Sequence, residues 1–412
     1  MSTLFFGAKQ VVTCRGSAEA RRGSEMADLD VVTRGGVLID DEGRIAEVAD
    51  ADKLRKEHPD ARIEEVSGVL FPGFVDSHTH GVFGPPRTAD QARRAKGIEY
   101  KTIAEQGGGI LSSVRDVRAL SEEDLLALTR SRMKRLLGLG TTTVEVKSGY
   151  GLSLEDEIKQ LRVIRKLGDQ GPTLVPTFLG AHEVPAEHRD DPEAYVDLVV
   201  NEMLPAVVQE KLAVFCDVFC EPGVFTPKQS ERVLSEARKL GLDLKIHADE
   251  LDGSGGAELA VSLNARSADH LAAISDKGVG ALARAPRTVA VLLPGTQLFL
   301  GRTNRAPARS LIDEGASVAL ATDFNPGSSP GMSLPLMAML GVSQLKMAPE
   351  EAVIAVTVNA AAAIGVADRV GQLAPGFDAD MVEADIGDWR EMPYWYGANM
   401  VRRVWKRGAP CP

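Results

Sequence analysis

The middle of the chain alternates short β-branched apolar runs with longer segments in which apolar residues recur every three or four positions. Residues 141–146 are typical of the first pattern. In the segment that ends at Gly168, Ile158, Leu161 and Ile164 recur on one helical face. Eight strands separated by helices predict an α/β fold, a closed (β/α)8 TIM-like barrel. The predicted strands are 74–80, 141–146, 173–182, 214–220, 243–249, 267–271, 288–293 and 317–323.

Both ends of the chain show a different pattern, in which short strands and turns replace the strand–helix alternation. Residues 37–48 predict a β-hairpin, and residues 371–383 again predict turns and a strand. A glycine-rich apolar segment, 107–114, is assigned to a long excursion after the first barrel strand. These flanks predict one small β-sandwich-like domain built from both termini. The predicted domains are 1–69 with 372–412, and 70–371 for the barrel.

Polar residues of the types that serve as catalytic groups or metal ligands lie at the carboxyl ends of the predicted strands. Active sites of (β/α)8 barrels lie at the carboxyl ends of the strands. Five of the seven histidines of the chain are at these ends, which favours one shared site over scattered histidines. The strand-end residues are His78, His80, Lys147, Tyr150, His182, Glu221, His247, Glu250, His270 and Asp323.

His78 and His80 give the clearest local signal for a metal site. Residues i and i+2 of a strand point to the same face, so both imidazoles can reach one ion. Zinc and similar ions bind neutral imidazole, and a catalytic site combines three protein ligands with an open position. An isolated pair is more often two histidines on a polar loop. The shared position of the other strand-end residues favours the metal site.

Charge and composition narrow the class of protein. The formal net charge is −11, from 47 basic and 58 acidic residues, which disfavours nucleic acid and anionic membranes as partners. No apolar run is long enough to span a bilayer, and residues 1–14 lack the features of a signal peptide. We therefore expect a cytoplasmic protein that binds neither nucleic acid nor membrane.

The four cysteines are too few for a disulfide framework in 412 residues. Cys216 and Cys220 resemble a metal-binding pair, but in one strand they would lie about 13 Å apart and could not share an ion. They are expected to be core thiols in a reducing compartment.

Six segments spread over the predicted barrel carry longer motifs. They are PGFVDSHTHGVFG at 72–84, VKSGYGL at 146–152, GAHEVP at 180–185, KIHADE at 245–250, DH at 269–270 and TDFNPGS at 322–328. With these motifs the chain resembles the amidohydrolase superfamily and, within it, the imidazolonepropionases. The His-x-His motif is shared by the superfamily, whereas KSGYG, GAHE and DFNPG are much more specific to imidazolonepropionases. The chain departs from the family pattern at Pro85-Pro86, directly before Arg87.

This resemblance implies metal-dependent hydrolysis of the ring C–N bond of 4-imidazolone-5-propanoate to N-formimidoyl-L-glutamate, in histidine degradation. It implies a homodimer with one ion per subunit, Zn²⁺ or Fe³⁺, and the sequence leaves that choice open. The expected metal ligands are His78, His80, His247 and Asp323. Lys147 lies on the second strand, and we expect it to form an ion pair beneath the pocket.

The resemblance also implies roles for residues beside the ion. The metal would lower the pKa of a bound water to about 7, and the resulting hydroxide would attack the ring carbonyl. Asp323 would accept a hydrogen bond from that water, and Glu250 would shuttle a proton to the leaving nitrogen. His270 would stabilise the oxyanion or orient the water.

The substrate carries a carboxylate, so a protein of acidic composition needs a local cation in the site. Arg87 is the candidate, because its guanidinium can pair both carboxylate oxygens. Tyr150 and His182 would add donors to the carboxylate or the ring. A tight turn follows Asp323, and its exposed backbone groups would hold the amide-like end of the product. The turn residues with this expected role are Asn325, Gly327 and Ser328.

Two other functions fit the same sequence. A single-metal deaminase of a cytosine- or guanine-like base would share the histidines, Glu250 and Asp323, but would release ammonia and would not need Arg87. A barrel that kept the fold and lost the metal would be an interaction protein. The intact set of four ligands argues against the second alternative.

Overall fold

Strands from the first seventy residues lie outside the barrel. The structure is a computed structural model, and it describes residues 2–98, 102–103, 106–168 and 171–411. Strands β1–β7 are Thr3–Phe6, Gln10–Val12, Val31–Thr33, Gly35–Ile39, Ile45–Asp50, Arg62–Glu65 and Val69–Pro72. The hairpin predicted at 37–48 is confirmed, because β4 and β5 pair antiparallel with Val37 opposite Val48.

The next eight strands form the predicted barrel. Strands β8–β15 are Phe74–Asp76, Thr141–Lys147, Thr173–Ala181, Phe215–Cys220, Asp243–Ala248, Ser267–His270, Val289–Leu292 and Val318–Leu320. Each strand pairs in parallel with the next one along the chain. Most strand residues are buried, as expected for parallel strands covered by helices. All eight predicted strands are confirmed, although the first ends four residues earlier than predicted.

The barrel closes beyond the ends of β8 and β15. The His80 amide donates to the Phe324 carbonyl at 2.8 Å, and the Asp323 amide donates to the His78 carbonyl at 3.0 Å. Thr79 and Phe324 form the parallel bridge between the two chain segments. We call these contacts between 78–80 and 323–324 the seam. It lies at the carboxyl end of the strands, where the sequence places the site.

Helices surround the barrel and fill the connections between its strands. Helices α1–α15 are Ala51–Glu57, Thr88–Ala95, Ile110–Ala119, Glu122–Gly138, Leu154–Leu167, Pro192–Leu198, Leu204–Gln209, Pro227–Lys239, Gly256–Ser262, Asp276–Arg284, Pro294–Leu300, Ala308–Asp313, Leu334–Leu345, Pro349–Ala355 and Val358–Ala363. Their starts follow local chemistry: the Ser121 and Ser153 side chains accept the amides of Asp124 and Asp156. Within the described part of the chain, no helix combines the length and apolarity needed to cross a membrane.

The carboxyl-terminal strands form one sheet together with strands from the amino-terminal segment. Strands β16–β18 are Met381–Ala384, Val401–Lys406 and Ala409–Pro410. One sheet has the order β18-β17-β16-β7-β2-β3 and the other β5-β4-β1-β6. Phe5 of β1 packs edge-on against Trp405 of β17, with ring centroids 5.2 Å apart, so the two sheets share a core. Both termini therefore build one β-rich unit, and its limits at 69 and 372 stay a prediction.

Two further predictions concern single segments. The apolar stretch 107–114 lies between β8 and β9 as predicted, and helix α3 begins within it at Ile110. Cys216 and Cys220 both lie in β11 and are buried free thiols, in agreement with the predicted core role.

Candidate metal centre and active site

Four side chains bring their ligand atoms together at the mouth of the barrel. His80 Nε2 lies 3.3 Å from His78 Nε2 and 3.4 Å from His247 Nε2. Asp323 Oδ1 lies 3.5 Å from His80 Nε2 and 3.7 Å from His78 Nε2. Four ligands bonded to one ion at about 2.0–2.1 Å in a tetrahedron are about 3.3 Å apart. The ligand atoms of His78, His80 and Asp323 thus lie together at a spacing that fits a single ion, and His247 adjoins this group through His80.

The protonation of these imidazoles suits metal ligation. Burial lowers the pKa of His78 and His80 well below the usual range, so both rings are neutral at pH 7. Burial would also lower the pKa of His247, but the neighbouring Asp217 carboxylate outweighs it and raises that pKa. Neutral His78 and His80 keep a lone pair for an ion, and an ion bound to His247 would displace the proton that Asp217 favours there. With that proton displaced, the donor set of three nitrogens and one carboxylate fits zinc or iron.

Two carboxylates stand behind the imidazoles and set their orientation. His78 Nδ1 lies 2.6 Å from Asp269 Oδ2, and His247 Nδ1 lies 3.0 Å from Asp217 Oδ2. Because an ionised carboxylate only accepts, Nδ1 of His78 carries the proton and Nε2 is left free for an ion. Lys147 Nζ lies 2.7 Å from Asp217 Oδ2 and 3.9 Å from Asp269 Oδ2, so one cation contacts both carboxylates.

This charged cluster is fully buried beneath the ligands. Lys147 also donates to Glu145 Oε1 at 2.6 Å, which confirms the predicted ion pair beneath the pocket. Burial opposes the charge of Lys147, but Asp217 and Glu145 raise its pKa above the ordinary value. Sequence reasoning did not assign a role to Asp217, although a carboxylate inside an apolar strand is itself a signal of a buried partner.

Glu250 and His270 lie beside the four ligands. Glu250 Oε2 is 3.6 Å from His270 Nδ1, and Glu250 Oε1 is 3.9 Å from Arg302 Nη1. Burial raises the pKa of Glu250, and the charge of Arg302 opposes that rise. His270 presents a ring nitrogen within 4.8 Å of nitrogens of His78 and His247. Both predicted catalytic side chains therefore face the cluster, with Arg302 as a neighbour that the sequence did not reveal.

Glu221 fixes the turn that carries Glu250. Its carboxylate accepts the backbone amides of Glu250 at 3.1 Å, Leu251 at 3.2 Å and Asp252 at 2.6 Å. Three consecutive amides bound by one side chain hold the turn in a single conformation. Glu221, identified in the sequence only as a strand-end residue, thus supports the position of Glu250.

Several non-glycine residues at the same end of the barrel have strained backbone conformations. Asp249, His270 and Asp323 have φ angles of +51°, +77° and +52°, in the left-handed region that non-glycine residues seldom adopt. Such conformations each cost about 1–3 kcal/mol and occur preferentially at functional sites. His270 and Asp323 line the cavity at the mouth, whereas the Asp249 side chain turns to the start of helix α9 and accepts the amides of Gly255 and Ala257 at 3.0 Å.

A cavity of about 220 Å³ opens above the cluster, and Arg87 lines it. Nε and Nη1 of Arg87 are buried and have no hydrogen-bond partner among the described residues. The Arg87 amide donates to the Pro326 carbonyl at 3.1 Å, which ties the proline-containing loop to the seam. Pro85-Pro86 therefore does not turn Arg87 away, and the cavity holds a cation with donors available to an anion.

His182 and Tyr150 line another wall of the cavity. His182 stacks on His80, with ring centroids 5.0 Å apart and planes at 20°. His182 Nδ1 donates to the Gly149 carbonyl at 2.8 Å, since a carbonyl oxygen can only accept. Burial lowers the pKa of His182 to about 3, so the ring is neutral and Nε2 can only accept. Facing a ligand, His182 thus offers an acceptor and not the predicted donor.

The predicted turn after Asp323 is organised by Asn325. Its Oδ1 accepts the amides of Gly327 at 2.8 Å and Ser328 at 2.7 Å, and its Nδ2 donates to the Asp323 carbonyl at 2.7 Å. The exposed backbone groups of the turn were expected to hold a ligand, but the turn itself uses these two amides, which are therefore not free for that role; the expectation for its other groups stays a prediction. Asn325 and Ser328 still line the cavity. Asn325 also connects the turn to the ligand Asp323.

Gly327 makes room for the guanidinium of Arg87. A Cβ added at Gly327 would overlap Arg87 Nη2, so the guanidinium would have to move. Replacing Gly327 with alanine is therefore expected to displace Arg87 and to raise KM for a carboxylate substrate by at least about tenfold, with kcat changed less. Steady-state kinetics measure this. Gly331→Ala is the matched control, since a Cβ there meets nothing within 4 Å, and an equal rise in KM for both variants would contradict the role of Gly327.

Comparison with known proteins places this site in a family. A model of the amidohydrolase family matches residues 69–409. The imidazolonepropionase of Symbiobacterium thermophilum is 48% identical over 411 residues, which cover 98% of this chain and 96% of that protein. The imidazolonepropionase of Shouchella clausii is 46% identical over 407 residues, covering 97% of this chain and 91% of that protein.

A solved structure with low sequence identity to this chain has the same fold. The adenosine deaminase of Xanthomonas campestris with bound zinc aligns with a TM-score of 0.71, over 99% of this chain and 92% of that one. Its sequence identity is 18%, so this likeness concerns the fold alone.

Proposed function

The chain belongs to the amidohydrolase family and, within it, to the imidazolonepropionases, and we propose that it hydrolyses the ring C–N bond of 4-imidazolone-5-propanoate. The product is N-formimidoyl-L-glutamate, and the reaction is a step in histidine degradation. One observation carries the assignment of the substrate: the buried donors of Arg87 lie in the cavity that the imidazole cluster also lines. A hydrolytic site beside a guanidinium that no described carboxylate pairs suits a cyclic amide with a carboxylate side chain.

His78, His80, His247 and Asp323 are the residues that would hold the ion, zinc or iron. The ion would supply Lewis acidity that activates water at neutral pH. The donor atoms, mutually 3.3–3.7 Å apart where measured, support this assignment.

Glu250 is the proposed proton carrier. Water adds its oxygen to the ring carbonyl carbon, and Glu250 takes a proton from the water and delivers it to the ring nitrogen. The carbon–nitrogen bond breaks, its electron pair takes the proton that Glu250 delivers, and the carbonyl carbon becomes a carboxylic acid that releases the second water proton to solvent as it ionises. The raised pKa of Glu250 supports the role, since a carboxyl that titrates nearer neutrality both accepts and gives a proton. His270, 3.6 Å from Glu250, would stabilise the oxyanion or orient the water.

The remaining cavity residues would bind and orient the substrate. Arg87 would pair with the propanoate carboxylate through its two unsatisfied nitrogens. His182, with Nδ1 bound to the Gly149 carbonyl, would accept a ring N–H, and Tyr150 would pack beside it. Asn325, Gly327 and Ser328 would contribute the turn that shapes the cavity beside Arg87.

Replacing Arg87 with glutamine is expected to raise KM about 100-fold with a smaller change in kcat, because removing one partner of a desolvated charge pair costs about 2–5 kcal/mol. Steady-state kinetics with 4-imidazolone-5-propanoate measure the effect. Arg189→Gln is the control, since Arg189 lines the same cavity but is exposed. An unchanged KM in Arg87→Gln would remove Arg87 from the carboxylate site.

The function itself is tested by incubating the metal-loaded protein with 4-imidazolone-5-propanoate and following N-formimidoyl-L-glutamate by NMR. Assays with guanine and cytosine, read as ammonia release, test the deaminase alternative. Ring opening without ammonia is the expected result. Metal content by elemental analysis tests the non-enzymatic alternative, for which less than one ion in ten subunits would be found.

We also propose a cytoplasmic homodimer. The resemblance to imidazolonepropionases supports the dimer, and the free thiols Cys14, Cys216, Cys220 and Cys411 support a reducing compartment. Light scattering coupled to size exclusion tests the oligomeric state, and a monomer mass would contradict the proposal.

A further inference from the structure

A second, larger cavity lies at the opposite end of the barrel from the proposed active site. It measures about 800 Å³ and is lined by the start of β10 at Thr173, by helix α4, and by the β-rich unit near β18. We call it the basal cleft. Its volume is within the range of small-molecule sites, and no residue of the metal centre lines it.

The described lining of the basal cleft is strongly cationic. Among the lining residues that the structure describes, one carboxylate, Asp378, faces the cleft, although acidic residues outnumber basic ones in the whole chain by 58 to 47. The lining cations are Arg44, Arg130, Lys134, Arg369, Lys406 and Arg407. A concentration of positive charge in a concave surface of an acidic protein is a local feature that attracts anions.

Close ion pairs between described residues leave most of this charge unneutralised. Arg44, Arg369 and Arg407 each approach Asp378 no closer than 3.9 Å, so three guanidiniums converge on one carboxylate. Lys406 is the exception, since its ammonium pairs with Asp380. Three converging cations with one anion leave a net positive charge at a single place.

Neutral backbone groups hold two of these guanidiniums in position. Arg44 Nη1 donates to the Gly376 carbonyl at 2.8 Å, and Arg407 Nη2 donates to the Glu42 carbonyl at 2.8 Å. Carbonyls orient the side chains without cancelling their charge, so the remaining N–H donors stay ready for a further acceptor. Arg130 and Lys134, one helical turn apart on α4, are exposed on the other side of the cleft.

We propose that the basal cleft binds a small anion that carries phosphoryl groups. Planar guanidinium forks match phosphate oxygens in pairs, and several cations around one cavity suit a multiply charged group better than a single carboxylate. The volume of about 800 Å³ leaves room for more than inorganic phosphate, so an organic phosphate or a polyphosphate fits the site.

Isothermal titration of the metal-loaded protein with pyrophosphate tests the proposal, at constant ionic strength set with chloride. Saturable binding is expected, with inorganic phosphate binding more weakly. The double substitution Arg130→Gln with Lys134→Gln is expected to weaken binding by at least about tenfold. Arg87→Gln should bind pyrophosphate like the native protein, because Arg87 lines the other cavity.

The matched control is Lys228→Gln with Arg232→Gln, an exposed pair with the same spacing on helix α8, outside the cleft. It should bind like the native protein. Absence of saturable binding, an equal loss in the control pair, or saturable binding of glutarate without pyrophosphate would each overturn the proposal. Ring-opening activity is not required for any of these readouts, so the result stands apart from the proposed function.

Discussion

Glu250→Gln is expected to lower kcat by about 10²–10⁴-fold, the usual contribution of a positioned acid–base group. Glutamine has the same size as glutamate and leaves the backbone amide of residue 250 unchanged. It cannot, however, carry a proton from water to a leaving nitrogen. The contacts that fix the turn are made by the Glu250 backbone amide and the Glu221 carboxylate, so the substitution should leave the fold intact. Rapid-mixing and steady-state kinetics measure the loss, with metal content determined on the same preparation.

Glu183→Gln is the matched control for this experiment. Glu183 lines the same cavity and its pKa is also raised by burial, but its Oε1 accepts the Val184 amide at 2.9 Å. We expect its kcat to stay within about threefold of the native enzyme, since it lies outside the proton path. Native turnover in Glu250→Gln would exclude the proton-transfer role, and an equal loss in both variants would show that the effect is not specific to Glu250 and would contradict that role as well.

Lys147→Met is expected to weaken metal binding by about 10–100-fold, the typical effect of disturbing groups that orient metal ligands. Lys147 contacts the carboxylates behind His247 and His78, so its loss leaves Asp217 and Asp269 without that cation and lets both imidazoles turn. The free energy of unfolding should fall by about 3–5 kcal/mol, because a buried ion pair loses one partner. Competition with a chromophoric chelator measures the metal affinity, and chemical denaturation measures the stability.

Lys159→Met separates these two effects. Lys159 is a partly buried lysine that pairs with Asp156 at 2.7 Å and donates to the Val117 carbonyl, remote from the imidazoles. Its loss should reduce stability without changing metal affinity. If Lys147→Met binds metal as tightly as the native protein, the lysine is only a structural ion pair and does not position the ligands.

The architecture was largely readable from the sequence because its signals are local. A barrel strand such as 141–146 is a run of β-branched residues, and a helix start such as Ser121 carries its own cap. The convergence of His78 and His80 also followed from a local rule, the alternation of side chains along a strand. The predicted strand order then placed the ends of β12 and β15 at the same mouth of the barrel, and so predicted that His247 and Asp323 lie near these histidines.

The features that the sequence did not predict, or predicted wrongly, depend on contacts between distant segments. The tautomer of His182 is set by the carbonyl of Gly149, a partner that no pattern around His182 indicates. The turn after Asp323 was predicted, but not that Asn325 Oδ1 would bind the amides expected to face a ligand. The grouping of Lys147 with Asp217 and Asp269 likewise depends on the register of strands far apart in sequence.

The seam also bears on how the fold is maintained. His78 and His80 follow the first barrel strand and Asp323 follows the last, and only a few backbone bonds join these segments. An ion shared by them would act as a cross-link that encloses most of the polypeptide in one loop. Such a link reduces the entropy of the unfolded chain, and the reduction grows with the length enclosed. The chemistry at the mouth and the integrity of the barrel are thus thermodynamically linked.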